Sequence, residues 1–338
     1  MKNLYLTTIV LFLCICFMGN VKSSSNFLYS STSNQNTASQ TFSKIDLDSN
    51  EVIFNHTLTN LHYVIVDVLF INQTNVIFFG ANEQTEDNIL IEYKYENGDF
   101  IQSEEFLKQD SITLLFSGKK LAFINQVVIQ PLATNSTIMM AKWDFQNNQF
   151  SIINTNATDI HISNEEYNVY NAYDSETGLI YYSYQTNNEI NTDQSSIGVY
   201  DPTNDENIKS INGIKGVDPN SIKLLFCDNS GGLYAISNQL SSAQSTILTI
   251  CKYDFNSLNC EIQFTKDVGQ LIDFTYDITH YYPIVQSFDD QSLMIIVNTT
   301  ENGKPILNIE KYDISTWSLL SSSSIENFWT SQINHLNF

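Results

Sequence analysis

Ile250-Cys-Lys-Tyr-Asp254 is one of six copies of a short pattern: an apolar run, usually Lys, then an aromatic residue or Ile, an acid and a turn. The others are Phe42-Ser-Lys-Ile-Asp46, Ile91-Glu-Tyr-Lys-Tyr-Glu96, Met139-Met-Ala-Lys-Trp-Asp144, Ile197-Gly-Val-Tyr-Asp201 and Ile309-Glu-Lys-Tyr-Asp313. Counted on the residue before the acid, the steps are 50, 48, 57, 53 and 59 residues. Supersecondary units repeating at this period build a solenoid or a propeller. The repeat decides the fold and leaves the activity open.

Working outward, each copy has the same neighbours. An apolar strand precedes it: Phe27 to Tyr29, Val76 to Phe79, Leu121 to Ile124, Leu179 to Tyr182, Leu233 to Ile236 and Leu293 to Val297. Before five of these lies a strand ending in an aromatic residue: Phe70, Phe116, Tyr173, Phe226 and Phe288. After the acid a turn leads to a fourth strand, and Asn97-Gly98 is a type I′ hairpin signal. The runs are short and rich in β-branched and aromatic residues, and Asn, Asp, Ser and Gly bound them. No long helical period occurs.

Five complete four-strand units fill the middle of the chain, and the ends supply the sixth. The N-terminus has only second, third and fourth strands. Ile333 to Phe338 looks like a first strand. The 26 residues after Tyr312 and the 22 from Ser24 to Ile45 together make 48, one unit. A ring explains this complementarity, because a shared last blade clasps the termini and hides the edges. The expected fold is an all-β, six-bladed β-propeller of four-stranded antiparallel blades, forming one domain over 24–338.

The Lys-aromatic-acid strand resembles the third strand of kelch-type and other propeller blades. The resemblance spans the mature chain at the level of fold. Kelch blades carry paired Gly after the second strand, whereas the one Gly pair here, Gly231-Gly232, precedes it. The resemblance implies architecture and no functional residues, since propellers host binding modules and enzymes alike. Alternation puts Lys and the acid on one strand face and the aromatic on the other. The aromatic is expected to pack between blades and the acid to accept N–H groups of its turn. The Lys stem is expected to lie over the neighbouring blade, its amine free or paired to that acid.

Residues 1–23 read as a secretory signal peptide: Lys2, then an apolar core from Leu4 to Phe17, with Val21 and Ser23 suiting cleavage. That run is short for the roughly 20 residues of a spanning helix. No second apolar run follows, so no transmembrane segment is expected after cleavage. Sequons at Asn55, Asn72, Asn135, Asn156 and Asn298 fit a secreted glycoprotein. Fifteen Lys and no Arg face 37 acids; without Lys2 and Lys22 the balance is 13 against 37, or −24. Such a surface repels nucleic acid and anionic lipid and attracts cations or basic partners.

Cys14 and Cys16 leave with the signal, and Cys227, Cys251 and Cys260 remain. Aligning Lys252-Tyr-Asp254 with Lys94-Tyr-Glu96 predicts a Cys251–Cys260 disulfide directly across a hairpin, with Cys227 left as a buried thiol. His62 and His280 each stand eight residues before an aromatic, Phe70 and Phe288. With Asp277, they are the candidate ligands of a divalent cation such as calcium. No nucleophile elbow, phosphate loop or paired-Cys zinc pattern occurs, and no catalytic residue is assigned. The leading expectation is a secreted, monomeric binding or matrix protein for an extracellular protein or glycan. The alternative is a metal-dependent hydrolase or lactonase with its site in the central channel.

Overall fold

The computed structural model describes residues 27–34, 39–59, 63–70, 75–82, 88–96, 99–109, 122–124, 127–134, 137–144, 147, 149–158, 169–174, 176–186, 194–218, 221–228, 230–240, 245–269, 284–286, 291–301, 304–326 and 332–334. These contain 24 β-strands and no α-helix. The protein is all-β, as its short β-branched and aromatic runs predict.

The terminal sheet joins both ends of the chain. It holds β1 (Phe27–Asn34), β2 (Ser39–Asp46), β3 (Glu51–Leu58) and, from the C-terminal end, β24 (Gln332–Asn334). β24 runs antiparallel to β1, with Tyr29 facing Asn334 and Ser31 facing Gln332. The next sheet is β4 (Tyr63–Phe70), β5 (Asn75–Asn82), β6 (Asn88–Glu96) and β7 (Asp99–Gln109), and the next is β8 (Ala122–Ile124), β9 (Val127–Thr134), β10 (Thr137–Asp144) and β11 (Gln149–Thr158). An eight-stranded sheet contains two antiparallel runs of four. They are β12 (Asn171–Asp174), β13 (Leu179–Tyr184), β14 (Gln194–Asp201) and β15 (Glu206–Lys215), then β16 (Ile222–Cys227), β17 (Leu233–Leu240), β18 (Thr246–Asp254) and β19 (Asn259–Asp267). One parallel bridge, Lys215 to Asn259, links them. The last sheet is β20 (Ile284–Gln286), β21 (Ser292–Glu301), β22 (Lys304–Asp313) and β23 (Leu319–Glu326).

One strand differs from the sequence expectation. Ala122–Ile124 is the first strand of its sheet, and the second is Val127–Thr134. Pro131 hides this strand in the sequence, because proline has no N–H for a ladder. Among the described residues β8 pairs no further along β9 than Ile129.

The cores lie between successive four-strand runs, and the residue before the motif acid enters each. Tyr200 packs in a cluster with Ile129, Ile138 and Met140 of the preceding sheet. Tyr253 joins Ala172, Ile197 and Ile214. Tyr312 joins Phe226, Ile236 and Ile250. Ile45 joins Met294, Ile296 and Ile309. These four residues therefore each weld their own run to the one before it. First strands also lie side by side: β24 by β4, β8 by β12, and β12 by β16. Within β12–β15, the third run after the terminal sheet is set aside, Gly198 faces Tyr182 across β13 and β14. The Tyr182 ring occupies the space where a Cβ on Gly198 would stand.

Candidate functional site

The repeated motif builds one turn many times over. Asp46 accepts the N–H of Asp48 at 2.8 Å, Asp144 that of Asn147 at 3.0 Å, and Asp201 that of Thr203 at 2.8 Å. Asp254 accepts from Asn256 at 2.9 Å and Asp313 from Thr316 at 2.8 Å. Four residues after the acid the backbone turns left-handed, at Asn50 (φ 58°), Asp205 (55°), Leu258 (53°) and Trp317 (55°). A positive φ is a strained choice for Leu and Trp. The carboxylate, by satisfying the turn's N–H groups, helps hold it. The Thr203 amide, the Ser257 hydroxyl and the Ser315 hydroxyl respectively keep the Asp201, Asp254 and Asp313 carboxyls below the usual carboxylate range.

Two motif lysines, Lys142 and Lys252, meet carboxylates other than their own motif acid, contrary to one of the two expected arrangements. Lys142 reaches Asp205, in the turn of the following run, at 2.8 Å. The Tyr200 hydroxyl donates to the same carboxylate at 3.0 Å. Lys252 stands 3.8 Å from Asp228 and 5.2 Å from the centre of the Tyr234 ring. Lys44 is buried, which lowers its pKa, and Asp46 opposes that effect. Outside the motif, Lys266 of β19 pairs with Glu310 of β22 across two runs.

A second set of polar groups gathers at the ends of β12 and β16, the first strands of adjacent runs. Asp174 accepts the N–H of Glu176 at 3.0 Å and the Thr177 hydroxyl at 2.6 Å. Asp228 accepts N–H groups of Ser230 (2.9 Å) and Gly232 (2.7 Å) and the Tyr234 hydroxyl (2.9 Å). Burial pushes the Asp228 carboxyl up, but these donors outweigh it and its pKa lies below the ordinary value. A Cβ on Gly231 would stand 3.5 Å from Asp174 Oδ2, so the two turns are neighbours. Asn171 of β12 is buried, and its amide N and O lack a protein partner among the described residues. A buried unsatisfied amide calls for water or a ligand. This cluster went unread in the sequence. Its available signal was an Asp followed four residues later by Gly, at Asp174-Gly178 and Asp228-Gly232.

The expected site residues fall into three groups. His62, His280 and Asp277 lie outside the described residues, as do Asn72 and Asn135. Among the described residues no group of three or more His, Cys, Asp or Glu side chains could hold a metal ion. Asn55 lies exposed within β3, and Asn156 stands in β11. Asn298 is within β21, paired with Leu307. These three sequons are on strands.

The disulfide forms between Cys251 and Cys260, with Cα atoms 5.4 Å apart, and Cys227 is a buried thiol. Its register differs from the expected one. The turn takes four residues, 255–258, so Cys260 faces Tyr253 and Cys251 faces Ile262. The bridge therefore runs diagonally on one face, within the span a disulfide needs. Glu96 pairs with Asp99, and Asn97-Gly98, which guided the alignment, lie outside the described residues.

No protein-family model and no curated protein matches the chain. Similar solved structures exist. TolB from Acinetobacter baumannii is 12% identical with a TM-score of 0.52, over 91% of this chain and 65% of that one. The chain thus spans just under two thirds of TolB's length. A candidate 6-phosphogluconolactonase from Bacteroides fragilis is 10% identical, TM-score 0.49, over 90% of this chain and 83% of that one. The β-propeller domain of the Trilobed protease from Pyrococcus furiosus is 7% identical, TM-score 0.38, over 83% and 85%. Among the described residues no helix is long and apolar enough to cross a membrane. The likeness is one of fold alone, and the fold is of β-propeller type.

Proposed function

We propose that the chain is a secreted, N-glycosylated, six-bladed β-propeller that binds an extracellular protein or glycan. Six four-strand runs, the pairing of β24 with β1 and the packing of Ile45, Tyr200, Tyr253 and Tyr312 on the preceding run support the closed ring. One observation carries the binding reading. In each copy with a described turn, the motif acid closes that turn. Those repeated carboxylates are spent on the scaffold, so recognition falls to exposed positions that differ from run to run.

The test is expression of the full chain in a eukaryotic secretory host. The reading expects protein in the medium beginning after Ser23, a glycan on Asn55, and capture of an extracellular protein or glycan by cross-linking. Unprocessed protein retained in the cytosol would sink it. The competing reading, a calcium-type hydrolase or lactonase, rests on the matched positions of His62 and His280 ahead of Phe70 and Phe288. A melting temperature that rises with millimolar calcium, and falls back when either His becomes Ala, would favour that reading.

A further inference from the structure

We propose that β23 accepts an added β-strand from a second protein: an extended segment, uncharged along the strand and flanked by Lys or Arg. The proposal rests on the binding-module reading and names its partner's chemistry.

The fourth strand of a sheet leaves one ladder of N–H and C=O groups open, and such edges pair with other chains unless guarded. Five of the six fourth strands carry a guard in their own sequence. β7 contains Glu104, Glu105 and Lys108, β15 contains Lys209, and β19 contains Glu261 and Lys266. β3 and β11 contain the sequons at Asn55 and Asn156, where a glycan would stand on the edge. β23 reads Leu319-Leu-Ser-Ser-Ser-Ser-Ile-Glu326, with no charge before its last residue, no proline and no sequon.

Exposure agrees. The first four residues of β23 are exposed, with Leu319 at 53% and Leu320 at 55%. Other fourth strands also show an aliphatic residue to solvent, but with a guard beside it: Ile208 next to Lys209, Ile262 next to Glu261, and Ile53 two residues from Asn55. One edge of β23 is filled by β22, from Lys311 opposite Ser321 to Ile306 opposite Glu326. No described strand takes the other. Only an extended backbone matches that ladder, which selects a polypeptide. The run of small serines lets it approach from either face. Charge selects the kind of segment: the chain carries −22, so a second copy or an acidic segment is repelled and a basic-flanked one is attracted.

The test uses the secreted full chain and a fluorescein-labelled peptide of alternating Val and Thr with two Lys at each end. Fluorescence anisotropy should show binding to the wild type. Binding should weaken at least tenfold in Ser322→Lys and in Ser322→Asn, which completes a sequon with Ser324. Enzymatic removal of the glycan from the Ser322→Asn protein should restore it. The same peptide with Pro in place of Val should not bind, and unchanged melting temperatures should show that both variants fold. Failure of the first peptide to bind the wild type, equal binding by Ser322→Lys, or equal binding of the Pro peptide overturns the proposal. So does a wild-type dimer in sedimentation that Ser322→Lys abolishes, since the occupant is then a second copy. Capture of the cross-linked partner by Ser322→Lys as well as by the wild type removes the edge and leaves the binding-module reading standing.

Discussion

Replacing Gly198 by Ala tests how the third run is packed. The added Cβ would fall within the Tyr182 ring. That ring is fully buried, stacks on Tyr184 at 5.8 Å between centroids, and its hydroxyl donates to Asn207 at 3.0 Å. The backbone is poorly placed to give way, because β14 is paired on both sides, with β13 and β15. The ring must therefore shift. Overpacking of this kind costs about 1–3 kcal/mol, and full ejection of a buried aromatic about 3–5 kcal/mol. Loss of the hydroxyl's hydrogen bond adds about 1 kcal/mol. Against this, Ala has the lower chain entropy by about 0.5–1 kcal/mol. The expected net cost is about 3 kcal/mol, read as a shift in the urea midpoint. At about 2–4 °C per kcal/mol for a large domain, melting should fall by roughly 6–12 °C. A double-mutant cycle sharpens the test. With Tyr182→Ala the methyl has room, so Gly198→Ala should cost almost nothing further, a coupling of at least about 2 kcal/mol. Full stability of the single Gly198→Ala variant, or strict additivity of the pair, would refute the reasoning.

Three further outcomes are expected. A stop after Asn327 removes β24, leaves β1 with an unpaired edge and parts the two chain ends; the truncated protein should fail to be secreted, and normal secretion and melting would refute the clasp. Converting Cys251 and Cys260 together to Ala opens a ten-residue loop and should cost about 2.5 kcal/mol on the chain-entropy account; peptide mapping without reduction should find these two linked, and a bridge to Cys227 would contradict the structure. Burial raises the pKa of the Tyr182, Tyr200 and Tyr234 hydroxyls far above the usual value. The folded chain then holds protons that the unfolded chain releases above about pH 10, so this stability is complete below that pH and is lost as pH rises past it. Absorbance at 295 nm should show these tyrosines ionising only on unfolding; ionisation of all 18 tyrosines near pH 10 in a still folded protein would show otherwise.

The repeat, and with it most of the strands, is legible in the order of residues along the chain. Alternation alone fixes which residues share a strand face, so burial of Tyr253 beside half-exposed Lys252 and Asp254 was readable from Lys-Tyr-Asp. The acid's role followed too, because a carboxylate two or three residues ahead of a turn has N–H groups within reach. Complementary chain ends likewise predicted that a strand from Ile333 to Phe338 would meet the N-terminal strands; Gln332–Asn334 does pair with β1, and residues 335–338 lie outside the described ones.

Tertiary structure alone decided the partners. Lys142 finds Asp205, 63 residues on, because the next run brings its turn there; nothing local selects that carboxylate over Asp144. Pro131 hid β9, since a proline inside a run argues against a strand until the pairing of its neighbours is known. The disulfide pair was legible, but its diagonal register was not, because register depends on a four-residue turn closed by a left-handed Leu258. Asn171, Asp174 and Asp228 were unread because their meaning lies in the adjacency of β12 and β16, which begin 51 residues apart. Periodicity is a property of neighbours in the chain and survives in the sequence. A site is a property of neighbours in space, and folding creates those.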